Sequence, residues 1–75
     1  MHKYYIVRDG YFHTDWEVNS LFVFDSKKAV HTYMKNIMGF RCYKSKNPAY
    51  GEDEDIYENK KEEFGYEILE VELWK

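Results

Sequence analysis

The chain has 75 residues, with 11 Lys or Arg against 14 Asp or Glu, a net charge of −3 and 20% aromatic residues. That length predicts one domain over residues 1–75 and excludes barrels and dinucleotide-binding sheets. Four Gly and one Pro speak against low complexity, and a single cysteine, Cys42, cannot close an internal disulfide, which favours a reducing, cytoplasmic setting.

Tyr4-Tyr5-Ile6-Val7 is aromatic and β-branched and is followed by Asp9-Gly10, which predicts a strand and a turn. Tyr11–Ser20 mixes aromatic and polar residues and reads as a hairpin tip or a long connection. Leu21-Phe22-Val23-Phe24 is a second strand without a polar face, expected at the sheet centre or covered on both sides. Asp25-Ser26 offers a helix start and Gly39 a stop. Between them Val30, Tyr33, Met34 and Ile37 fall at i, i+3, i+4 and i+7, one apolar stripe. If that stripe covers the core, Ile37→Asp would abolish cooperative unfolding. Phe40–Lys44 alternates as a short strand. Asn47-Pro48 and Gly51 mark a loop. Glu52–Glu63 is charged and weakly patterned, so a charged loop or insertion is expected at about 45–64, with a short frayed helix as the alternative. Tyr66–Trp74 alternates as a closing strand, with Leu69, Val71 and Leu73 on one face and Ile68, Glu70, Glu72 and Trp74 on the other. The fold class is therefore α+β: a small antiparallel-rich sheet of three to four strands with one helix packed on a face, in a ββαββ-like order. The longest apolar run, Leu21–Phe24, falls far short of the roughly 20 residues of a membrane helix. The amino end shows no apolar signal-peptide core.

The net charge conceals two unlike halves: residues 1–50 carry +4 and residues 51–75 carry −7. Lys27 to Lys46 holds six basic side chains and no acid. Lys27, Lys28, His31 and Lys35 form a basic helix face that, with Arg41 following it, could contact phosphates, although a net charge of −3 argues against a general nucleic-acid binder. The carboxy-terminal part holds Glu52, Asp53, Glu54, Asp55, Glu58, Glu70 and Glu72, interleaved with Tyr57 and Trp74. Such a surface can be steered onto a basic groove and anchored by its aromatics. Either charged run also has an ordinary reading as a solvated face. No phosphate-cradling or nucleophile-elbow motif is present, and a domain this small offers little concavity, so catalysis is not expected. No cofactor is expected. His13, Asp15 and Cys42 are the candidate ligands should zinc bind, although they lack the close spacing of structural zinc ligands.

The runs Tyr4-Tyr5-Ile6-Val7, Asp9-Gly10-Tyr11 and Asp15-Trp16, then Val23-Phe24-Asp25-Ser26-Lys27-Lys28-Ala29-Val30 with Tyr33, resemble a pattern of small bacteriophage accessory proteins. In that pattern an opening strand and Gly-aromatic turn lead to a second strand and a capped helix. Tyr66–Leu73 is similar to the closing strand of those proteins, and the stretch at 44–64 is an insertion relative to them. The resemblance covers about half the chain and carries over no catalytic residue. It implies a phage-encoded, non-enzymatic inhibitor of host machinery, of the kind that includes anti-CRISPR proteins. The first functional expectation is thus an inhibitor that binds the nucleic-acid-binding surface of a host nuclease, such as a CRISPR effector, through its acidic and aromatic residues. The second is a small nucleic-acid-binding or regulatory module using the basic helix face, and the third a structural homodimer.

Overall fold

Two ten-residue strands, β1 (His2–Tyr11) and β5 (Phe64–Leu73), form the middle of an antiparallel sheet. β2 (Glu17–Phe24) pairs outside β1, β4 (Ile56–Asn59) outside β5, and β3 (Tyr43–Lys44) outside β4, giving the order β2-β1-β5-β4-β3. The helix α1 (Lys27–Met38) joins the two edge strands, so the chain crosses the sheet from one edge to the other. This computed structural model describes residues 2–51 and 54–73 and, within them, the side chains other than those of 2, 19–21 and 73.

The α+β class holds, but among the described residues the sheet has five strands where three to four were expected, in the order ββαβββ. The added strand, β4, falls inside the segment read as a charged loop. Its two apolar residues point to opposite faces, Ile56 to one and Tyr57 to the other, and a turn over 60–63 folds it onto β5. The strand expected over Phe40–Lys44 shrinks to its last two residues, while Phe40 and Cys42 turn inward from an irregular stretch to pack against the core. β2 is an edge strand, not a central or doubly covered one: Val23 is 61% exposed, and Phe22 is held from one side by Tyr33 at 5.2 Å between ring centroids. A register shift between Tyr5 and Val7 bulges this edge, which makes it a poor template for further strand pairing.

Helix boundaries follow the sequence closely. Ser26 is the N-cap, its hydroxyl accepting from the Ala29 amide at 3.1 Å, and Gly39 ends the helix in a left-handed conformation (φ 78°). Val30 and Met34 are buried against Val7, Phe64, Tyr66 and Ile68, each contributing about 1.5–3 kcal/mol by removal from water. Ile37 does not join them; it is 53% exposed, because Met38 rather than Ile37 continues the line of contact.

The face away from the helix is organised around two glycines. Gly10 and Gly65 are directly paired across β1 and β5, and the Trp16 side chain lies over both. A Cβ on Gly65 would stand 2.7 Å from Trp16 Cη2 and 3.0 Å from the Tyr57 carbonyl oxygen, and one on Gly10 would stand 2.7 Å from Trp16 Cδ1. The indole therefore fills the place where two side chains would otherwise project.

Candidate nucleic-acid interface

His31, Thr32, Lys35 and Asn36 occupy one flank of α1, at spacings that put them on adjacent turns. The left-handed turn at Gly39 swings the chain back, so that Arg41 and Cys42 face this flank across Tyr66. Together these residues line a cleft of about 390 Å³ without a carboxylate among them. The Asn59 amide donates to the Arg41 carbonyl at 2.9 Å, tying the return segment to the end of β4.

His31 is more than a polar-face residue. Its Nδ1 lies 2.7 Å from the Tyr66 hydroxyl, and its ring stands edge-on to Tyr57 at 4.4 Å between centroids. Burial lowers its pKa, opposed by Asp55 and assisted by Lys27, so the ring is neutral at pH 7. Burial likewise raises the Tyr66 phenol, with Cys42 and Tyr57 adding to the effect, and the hydroxyl stays protonated. The Cys42 thiol is pushed up to about 11 by burial and by Glu58, which leaves little thiolate at neutral pH. The cleft thus carries the two fixed charges of Lys35 and Arg41 over a neutral, hydrogen-bonded floor. Neither cation makes an ion pair among the described residues.

The remaining basic residues divide. Lys28 is exposed, one turn before Thr32 on the same flank. Lys27 is bound by Asp55 at 2.7 Å, and Asp55 also reaches Lys44 at 3.6 Å. No acidic residue stands in the first helical turn, where two lysines oppose the helix dipole; Asp55 offsets one of them.

The acidic set is spread over the molecule. Asp55 is engaged by Lys27 and Lys44, and its pKa is lowered chiefly by the hydrogen bond from Lys27. Glu54 is exposed before β4. Glu58 points to the glycine face, in register with Gly65. Glu70 lies 3.8 Å from Lys3, with Glu72 exposed two residues further along the strand. Tyr57 is packed between His31 and Tyr66, with the Lys44 ammonium 5.4 Å from its ring centroid. Glu52, Asp53 and Trp74 lie outside the described residues. His13 and Asp15 are exposed in the β1–β2 connection, and no group of three or more potential metal ligands occurs among the described residues.

Three of the five basic residues expected to contact phosphates, His31 and Lys35 on the helix and Arg41 beyond it, therefore meet in one cleft. Tyr66 as its floor was not legible in the sequence, because that role depends on strand order.

The neutral state of His31 has a measurable consequence. In the unfolded chain His31 takes a proton as pH falls through about 6.5, whereas the folded chain resists until a lower pH. The unfolded state then binds more protons, so stability decreases as the pH is lowered through that window. The thermal midpoint is expected to drop between pH 7.5 and 5.5, and His31→Gln is expected to flatten the drop. The Asp55 contribution is present above its ordinary value of 3.8 and is lost only below it, so the two windows separate. A midpoint drop of equal size in His31→Gln would show that another group is responsible.

The chain matches no family model, no curated protein and no solved structure.

Proposed function

We propose that this protein is a small, non-catalytic nucleic-acid-binding module that sets the flank of α1 and the return to β3 against a phosphate backbone. The observation that carries the proposal is the cleft in which Lys35 and Arg41 converge, flanked by Thr32 and Asn36 and lined by no carboxylate among the described residues. Arg and Lys hold phosphates by charge, and the neighbouring hydroxyl and amide add directed hydrogen bonds. The net charge of −3 is compatible with this. Charges beyond about 8 Å are largely screened at physiological salt, and several acids, Asp55, Glu67 and Glu70, already have basic partners. The inhibitor alternative needs a continuous acidic and aromatic surface. Among the described residues its carboxylates stand on both faces of the sheet, and Tyr57 is partly buried between His31 and Tyr66, so the basic cleft is the better supported site.

Binding through Lys28, Lys35 and Arg41 would be modest and strongly salt-dependent, with log K falling against log salt by roughly 0.7–0.9 per phosphate contact. Fluorescence anisotropy with labelled oligonucleotides at low salt is the test. The double variant Lys35→Glu/Arg41→Glu is expected to weaken binding by about a hundred-fold and to flatten the salt slope. No binding at low salt would overturn the proposal, as would binding indifferent to that variant. Capture of a basic nuclease by a protein that binds no oligonucleotide would return the inhibitor alternative to first place.

A further inference from the structure

A second cleft, of about 520 Å³, opens near the glycine pair. Phe12 and Trp16 from the β1–β2 connection form one side, Tyr50 from the loop before β4 another, and Lys46, Lys60 and Glu58 supply the charges. Its position follows from strand register. Gly10, Gly65, Glu58 and Tyr43 stand in one row across β1, β5, β4 and β3, and Trp16 is seated over the first two. Backbone bonds brace the walls: the Phe12 amide donates to the Glu63 carbonyl at 2.7 Å and the Tyr50 amide to the Asn47 carbonyl at 3.1 Å. Lys46 and Lys60 make no ion pair among the described residues.

Among the described residues, three aromatic rings at one cleft, with two ammonium groups and one carboxylate, suit a ligand that is flat, apolar on its faces and anionic at one end. We propose that this cleft seats an unstacked base of a single-stranded nucleic acid. The ring stacks against the Phe12–Trp16–Tyr50 walls, the adjoining phosphates meet Lys46 and Lys60, and Glu58 accepts from a ring N–H or exocyclic amine. Aromatic stacking tolerates any base and is closed to a paired duplex, whose bases stay within the helix. The two clefts approach one another along the β3 edge, since Arg41 lines the first and Tyr43, two residues on, borders a groove shared with Lys46, Glu58 and Lys60. Because this seat presupposes the nucleic-acid function proposed above, it narrows the ligand of that function from any phosphate backbone to a single strand.

The test uses the Trp74→Phe protein, in which Trp16 is the remaining tryptophan, titrated with a ten-residue oligothymidylate and with a duplex of equal length. The single strand is expected to quench Trp16 fluorescence and to bind at least ten-fold more tightly than the duplex. Phe12→Ala and Tyr50→Ala are each expected to weaken single-strand binding by about ten-fold, in line with the loss of one stacking partner, while leaving duplex binding and the melting transition near the parent's. Equal affinity for both nucleic acids, unmoved by these variants but lost in Lys35→Glu/Arg41→Glu, would overturn the base seat and leave the phosphate cleft standing. Binding of neither would overturn both. Quenching by an acidic, tyrosine-containing peptide but not by the oligonucleotide would overturn the seat in favour of a protein ligand.

Discussion

Replacing Val30 by aspartate is expected to eliminate the cooperative thermal transition, whereas the same substitution at Ile37 should move the midpoint by only a few degrees. Val30 is fully buried among Val7, Met34, Tyr66 and Ile68. A carboxylate there would lose its hydration without gaining a basic partner, a penalty of several kcal/mol. A domain of this length has about 4–11 kcal/mol of stability in total, so that penalty removes most or all of it. Ile37 is 53% exposed, and exposed substitutions usually stay within about 0.5 kcal/mol, which for a small domain is about 2–4 °C. Calorimetry of the two variants checks both halves. A lost transition in Ile37→Asp would mean that the helix seats on the sheet through its other flank.

A single added methyl at Gly65 is expected to lower the midpoint by about 10 °C. The new Cβ would meet Trp16 at 2.7 Å and the Tyr57 carbonyl at 3.0 Å; overpacking of this kind costs about 1–3 kcal/mol, and each kcal/mol is about 4–8 °C in a domain this small. Part of the clash is with the movable indole and part with the β4 backbone. A double-mutant cycle separates them: Trp16→Ala should destabilise on its own, yet do less damage in the Gly65→Ala background, by at least about 0.5 kcal/mol. Strict additivity would show that the indole is not what the methyl encounters.

The elements that read well from sequence are those whose signals are local. The cap at Ser26, the stop at Gly39 and the strand alternation at 66–73 all depend on neighbours a few residues away. The helix stripe was legible, but its centre was not. Val30, Met34 and Met38 form the line of contact. Successive residues turn by about 100°, so Ile37 and His31 lie at similar angles on either side of Met34. Spacing alone cannot tell which flank the sheet covers. The aromatic rings of Tyr57 and Tyr66 decide it, covering His31 and leaving Ile37 open. β4 was hidden because its two apolar residues face opposite ways inside a charged run, and because its partner is chosen by the 60–63 turn. For the candidate sites the same division holds. The basic residues were visible as a helical repeat, but the cleft needed Arg41 to return against them. The aromatic cleft was invisible, because Phe12, Trp16 and Tyr50 are brought together by the pairing of two glycines far apart in the chain.

The strand order also governs how the molecule comes together in time. β1–β2 and β4–β5 are hairpins that can form from near neighbours, but the seam between them pairs Val7 with Ile68 and Tyr5 with Glu70. Those contacts close a loop spanning most of the sequence, and the entropy of closure must be met before the central pairs return any stability. Until β5 arrives, one long side of β1 lacks its strand partner, and the core lacks Phe64, Tyr66 and Ile68. A nascent chain therefore cannot complete the sheet before the segment 64–73 is free to dock, and either hairpin on its own presents the open strand and exposed rings that favour association with other chains.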